Sequence, residues 1–272
     1  MNQHPDGIDD TTLDAALEVA LAAADAAGAI HRAHQGGGIA TRTKSTEVDL
    51  VTEVDTRSEA AIREIIAARF PDHAVLGEEA GQDVAARCRW IVDPLDGTVN
   101  YAHGFPFYCV SIALEVDGEV RLGVVQDTAH GERFTAVRGR GAFLDGRPIH
   151  VSDTSDLRAA MASTGFAYDP EVALANVPAF ERALPRTRAL RRAGAAALDI
   201  CYVAVGRVDA FWELRLNAWD VAAAMLIVRE AGGTVTAGDG SPYRWDADAF
   251  VASNGALHAR LLSVLQLGDA LA

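Results

Sequence analysis

The sequence predicts an α+β fold that grades into α/β along the chain, on three observations. Two helical patterns open it. Six short strands with two Asp-Gly turn signals then fill residues 75–150, the pattern of an antiparallel sheet. Beyond residue 152, short apolar strands alternate with helices, which implies mixed or parallel pairing. On this grammar the chain divides into an N-terminal half, 1–152, and a C-terminal half, 153–272. No repeat or low-complexity linker separates them, so the halves are expected to pack directly.

The first helix is expected to start from an N-cap at Thr11 or Thr12, to run to Ile30 and to stop at Gly36, Gly37 and Gly38. A second, over 56–69, places Ile62, Ile65, Ile66 and Phe70 on one face, ends at Pro71, and has Asp55 at its N-terminal edge. Strands follow over 74–77, 90–92, 107–116, 120–126, 133–137 and 142–144, with turns at Asp117-Gly118 and Asp145-Gly146. In the second half, helices are expected over 171–184, 195–205, 221–231 and 256–265, with a strand over 210–214.

Composition narrows the function. The 272 residues include 38 acidic and 24 basic side chains, a formal charge of −14, so bulk charge argues against gripping nucleic acid or anionic lipid. Half the residues are apolar and spread along the chain, which argues against disorder, and nowhere do 18 apolar residues run without a charge, so no membrane span is expected. The first ten residues carry no Lys or Arg and no apolar block, so no export signal is expected. Three cysteines make no disulfide framework; Cys109 and Cys201, in apolar stretches, read as buried thiols in a reducing, cytoplasmic setting. Of the basic residues, 23 are Arg and one, Lys44, is Lys, beside 52 Ala. Under such compositional pressure a lone Lys is either a chance survivor or the holder of a role that a guanidinium cannot fill.

The chemistry concentrates in Trp90-Ile91-Val92-Asp93-Pro94-Leu95-Asp96-Gly97-Thr98. An apolar strand delivers Asp93 at its end, Pro94 stiffens the turn, and Asp96 follows. Two carboxylates so close repel unless a cation lies between them, and hard oxygen ligands suit Mg²⁺ or Mn²⁺. Gly97 and Thr98 add backbone N–H groups and a hydroxyl fit for a phosphate. An ordinary polar turn is the plain alternative. Glu78 and Glu79 form another acidic pair after a short strand: one side chain can bind metal while its neighbour supports it, although such pairs are more often solvated. Asp220 opens a helix, either as a simple N-cap or as a third metal carboxylate. Glu213 on the 210–214 strand is a candidate acceptor for substrate hydroxyls, and the small residues Gly194-Ala195-Ala196 start a helix able to expose N–H groups to a ligand, or simply to pack closely.

Taken together, Lys44 to Asp55, Gly77-Glu78-Glu79, the run from Trp90 to Phe107, and Trp219-Asp220 with Gly232-Gly233 resemble the inositol monophosphatase family, closest to bacterial members of the inositol-1-monophosphatase type. The likeness covers 12–265 in one order. It implies a layered αβαβα sandwich, usually a homodimer, with the site between the two halves. It implies that Glu78, Asp93 and the Leu95 carbonyl hold a first Mg²⁺, that Asp93, Asp96 and Asp220 hold a second, and that Glu78 shares a third, weaker ion with Glu79 nearby. Mn²⁺ is a possible substitute. Gly97 and Thr98 would receive the phosphate, and the Ala196 N–H and Glu213 would face the polyol. Thr98, oriented by Asp55, would position the attacking water, and Lys44 would lie near the metal and phosphate. The chain departs from the family pattern at Val99, Ala195 and Arg215, which leaves the metal ligands intact and puts substrate identity in question. If Arg215 points inward it can meet a second anionic group; if outward it is one more surface Arg.

The expected activity is Mg²⁺-dependent release of phosphate from inositol-1-phosphate or a similar polyol phosphate, with sensitivity to Li⁺. Rivals keep the chemistry and change the substrate to fructose-1,6-bisphosphate, phosphoadenosine phosphate or histidinol phosphate, or keep the fold as a non-catalytic regulatory protein.

Overall fold

In the computed structural model, which describes residues 8–35, 41–43, 50–81, 86–268 and 270, Asp9 caps the first helix in place of Thr11 or Thr12. Its carboxylate accepts the Thr12 N–H at 2.8 Å, satisfying one of the free donors of the first turn. Helix α1 spans Asp10–His34, a turn longer than its apolar pattern. The glycines expected to stop it, and Lys44, lie outside the described residues. A two-strand hairpin, β1 (Thr41–Thr43) with β2 (Leu50–Thr52), leads into α2 (Glu53–Arg69), which begins early enough to carry Asp55 in its first turn.

Seven strands follow, interrupted by one short helix: β3 (Ala74–Gly77), β4 (Cys88–Asp96), α3 (Thr98–Ala102), β5 (Cys109–Val116), β6 (Glu119–Asp127), β7 (Arg133–Val137), β8 (Ala142–Leu144) and β9 (Arg147–Pro148). They lie side by side in chain order. Both Asp-Gly pairs take positive φ, the backbone of two-residue hairpin turns. One pairing departs from the antiparallel expectation. Strand β3 runs parallel to β4, with Gly77 opposite Val92. Local alternation does not encode the direction in which neighbouring strands pair. The pairing matters for the site, because it brings Glu78 to the same end of the sheet as Asp93.

The second sheet contains β10 (Met161–Thr164), β11 (Ala189–Arg191), β12 (Ala210–Leu214), β13 (Thr234–Ala237) and β14 (Ala249–Ser253), in the order β11-β10-β12-β14-β13. Strands β11, β10 and β12 are parallel, and β14 pairs antiparallel with both β12 and β13, the mixed pairing expected. Helices α4 (Pro170–Ala183), α5 (Ala196–Ala204), α6 (Ala218–Glu230) and α7 (His258–Leu265) complete the chain.

Packing arranges these as five layers, α1 and α2, the seven-stranded sheet, α5 and α6, the five-stranded sheet, then α4 and α7. Residues Val221 to Val228 of α6 are buried all round, the mark of a helix with a sheet on each side. A continuous core there joins Ile91, Val125 and Phe134 of the first sheet to Phe211, Phe250 and Ala252 of the second. Among the described residues no helix is long and apolar enough to cross a membrane.

Candidate active site

Strand β4 ends in a deliberate irregularity. Its ladder with β5 holds register to Asp93 opposite Ser111, slips, and resumes at Asp96 opposite Cys109. Pro94 has no N–H to give the ladder, so the chain bulges, with both carboxylates at the C-terminal end of the strand. Gly97 then takes φ +89°, and a Cβ there would stand 2.9 Å from the Phe107 carbonyl oxygen, so both conformation and space require glycine. Thr98 begins α3, and its Oγ1 lies 2.9 Å from Asp55 Oδ1 and 3.0 Å from the Leu95 carbonyl oxygen. Asp55 is fully buried.

Glu78 follows β3, its N–H donating to the Val92 carbonyl at 3.3 Å. The turn is held from behind by Glu59 of α2, a residue the sequence analysis missed. Its carboxylate accepts the Glu79 N–H at 2.7 Å and the Ala80 N–H at 3.2 Å, and Arg63 Nε donates to it at 2.7 Å. A Cβ at Gly77 would collide with that carboxylate and displace it. Asn100 is a second omission. Its Nδ2 donates to the carbonyls of Phe107 at 2.8 Å and Ala193 at 2.9 Å, tying the segment after Gly97 to the second half.

From the C-terminal half, Asp220 is the third residue of α6, not its cap. Asn217 is the cap, and the Asp220 carboxylate accepts the Asn217 N–H at 2.6 Å in a reciprocal capping arrangement. Glu213 is buried on β12. Ala195 caps α5, and the N–H groups of Ala196 and Ala197 donate to Asp96 at 3.1 and 2.8 Å. The Ala196 N–H is therefore spent on a carboxylate rather than left open to a ligand. A cleft of about 490 Å³ runs between the sheets' ends, lined by Glu78, Asp96, Gly97, Ala196, Glu213 and Asp220 among others. Asp93, Asp55, Thr98 and Glu79 stand outside that lining. Arg192 and Arg215 reach its wall. Arg215 Nε donates to Asp248 at 2.9 Å, both side chains being more than half exposed, so this charge is engaged at the rim.

The electrostatics are dominated by crowded acid. Burial pushes Asp93 far above the usual carboxylate range, the charges of Glu78, Asp96 and Asp220 push it further, and a hydrogen bond with Glu78 adds to the rise. Asp220 is raised by burial and then by Glu78 and Asp96. Burial lifts Asp96 to about 6 against the opposing N–H groups of Ala197 and Ala196 and the Cys109 thiol. Glu213 is raised by burial, then by Asp220, Asp199 and Asp96.

Such a set fits a hard divalent cation by charge and donor type, since these oxygens hold full negative charge together only with a cation among them. Among the described residues, three such groups are not gathered at ligating distance. Their oxygens are turned instead onto protein donors: Asp93 onto the Leu95 N–H at 3.0 Å, Asp96 onto α5, Asp220 onto Asn217.

Residues 12–268 match the inositol monophosphatase family. The chain is 44% identical over 252 residues to the inositol-1-monophosphatase of Synechocystis sp., covering 92% of this chain and 88% of that protein. Among solved structures it is similar to the extragenic suppressor protein suhB of Bartonella henselae, with a TM-score of 0.88 and 36% identity over 93% of this chain and 99% of that one. It is also similar to an IMPase/NADP phosphatase complexed with Mg²⁺ and phosphate, with a TM-score of 0.83 and 27% identity over 93% and 96% of the two chains.

Proposed function

Because the chain belongs to the inositol monophosphatase family and is a phosphoric monoester hydrolase of the inositol-phosphate type, we propose that it releases phosphate from inositol-1-phosphate or a closely similar polyol phosphate, with Mg²⁺. The observation that carries this reading is the convergence of Glu78, Asp96 and Asp220, from both halves of the chain, on one cleft, with Asp93 in hydrogen-bond contact with Glu78.

Glu78, Asp93, the Leu95 carbonyl, Asp96 and Asp220 would hold two ions, with Mn²⁺ as a substitute and Glu79 near a third. When bound, such ions neutralise the phosphoryl oxygens and lower the pKa of a water. The chain's own residues supply the rest. Gly97 and Thr98 receive the phosphate. The Thr98 hydroxyl commits its proton to Asp55, which leaves its lone pairs to accept from the attacking water and orient it. Glu213, which also lines the cleft, accepts from polyol hydroxyls. Neither Cys nor Ser is required as a nucleophile. The same reading carries inhibition by Li⁺, a cytoplasmic setting in keeping with three free cysteines, and a homodimer.

Arg192 also lines the cleft, where its charge offsets the Asp199 and Glu213 carboxylates. The test is phosphate release from inositol-1-phosphate, fructose-1,6-bisphosphate, phosphoadenosine phosphate and histidinol phosphate, with and without Mg²⁺. Inositol-1-phosphate should be hydrolysed with Mg²⁺ only, and Asp93→Asn should lose at least about 100-fold in kcat/KM. A folded Asp93→Asn protein with full activity, or no release from any substrate, overturns the reading.

A further inference from the structure

His31 belongs to α1, far in sequence from the candidate site, yet it is fully buried and both ring nitrogens are engaged. Nε2 lies 3.0 Å from the Pro94 carbonyl oxygen and Nδ1 lies 3.0 Å from Thr128 Oγ1. The carbonyl can only accept, so Nε2 carries the proton, and a neutral ring then leaves Nδ1 to accept from the Thr128 hydroxyl. Burial holds the ring neutral, with its pKa down at about 4. A third tie joins the same residue to the loop, the Tyr101 hydroxyl donating to the His31 carbonyl at 2.7 Å.

The Pro94 carbonyl is one end of a rigid peptide plane. The other end is the Leu95 N–H, which donates to Asp93 Oδ1 at 3.0 Å. A single planar unit therefore connects the imidazole to the carboxylate at the bulge of β4. Rotating that plane would swing the N–H away from Asp93 and change where the next carbonyl, that of Leu95, points.

We infer that His31 is a positioning residue for divalent-cation binding, acting through the Pro94–Leu95 peptide to fix Asp93 and the Leu95 carbonyl. This rests on the assignment of Asp93 as a metal ligand made above.

The test is Mg²⁺ titration calorimetry on full-length variants, with thermal melts beside it. His31→Phe keeps ring volume and removes the donor; it should weaken Mg²⁺ binding on the order of tenfold, the low end for partners that orient a ligand. His31→Gln, which retains an amide donor, should recover most of that loss. Thr128→Val removes the other ring partner without touching the peptide plane, and should lower the Tm while leaving Mg²⁺ affinity within about twofold.

Wild-type affinity in His31→Phe, or equal weakening in Thr128→Val, overturns the inference. Should His31→Phe fail to fold, ¹⁵N NMR of the wild-type ring decides. A neutral Nε2–H tautomer whose signals shift on adding Mg²⁺ supports the inference, and an Nδ1–H tautomer or an unmoved ring overturns it. Asp93→Asn separates the two claims. If it binds Mg²⁺ normally the metal assignment fails, whereas if it loses Mg²⁺ and His31→Phe does not, only the role of His31 fails.

Discussion

Thr98 has one proton and two acceptors within reach, the Asp55 carboxylate and the Leu95 carbonyl. That competition makes the hydroxyl a sensitive point. Thr98→Ala should lower kcat by about 10²-fold or more with little change in KM, while Thr98→Ser should stay within about tenfold of wild type in steady-state assays. The carboxylates around it were legible in the sequence because they lie in a short run where strand, Pro and Gly leave little else to explain them. Glu59 was not legible. It sits four residues after Asp55 and three before Ile62 on the buried face of α2, and a single acid at helical spacing reads as solvated charge until its partners, 20 residues away at Glu79, are seen. Asn100 escaped for the same reason, since its acceptors Ala193 and Gly194 are contributed by the other half. Arg215, which the sequence left open, is settled at the rim by Asp248.

Among the elements, those bounded by Gly, Pro or Asp-Gly were placed almost to the residue, as β3, β7 and β8 are, because punctuation of that kind acts locally. Strand β4 outran its expected end at 92, since Asp-Pro-Leu-Asp has turn composition and only the ladder across the bulge extends it to Asp96. The bulge also sets a prediction. Gly97→Ala combines an unfavourable φ of +89° with a Cβ pressed against the Phe107 carbonyl, and should cost about 1–3 kcal/mol in denaturant unfolding. Activity should fall further than that loss of stability explains, because the same turn carries Thr98.

For the whole molecule, raised carboxyl pKa values are also a statement about stability. A folded state that holds protons more tightly than the unfolded chain is favoured at low pH and loses that advantage as pH rises through the folded values. Here the window runs from the ordinary carboxylate range, about 4, through about 6 for Asp96 and about 7 for Asp199, with Asp93, Glu213 and Asp220 also raised. The metal-free protein should therefore melt at a lower temperature at pH 8 than at pH 5.5. Millimolar Mg²⁺, binding the folded state, should remove most of that difference. A melting temperature that rises across the window without metal would contradict the electrostatic account.

The cleft is walled unequally by the two sheets. Glu78 and Asp96 come from the ends of strands of the seven-stranded sheet, with Asp93 outside the lining on the same strand as Asp96, whereas Phe166, Tyr168, Arg192, Glu213 and Arg215 belong to the five-stranded sheet and the segments around it. Heritable variation is thereby partitioned. Changes accumulating in the second half can reshape what the cleft admits while β4 and its bulge stay untouched, so this architecture can diverge toward new phosphate esters by small steps without passing through an inactive ancestor.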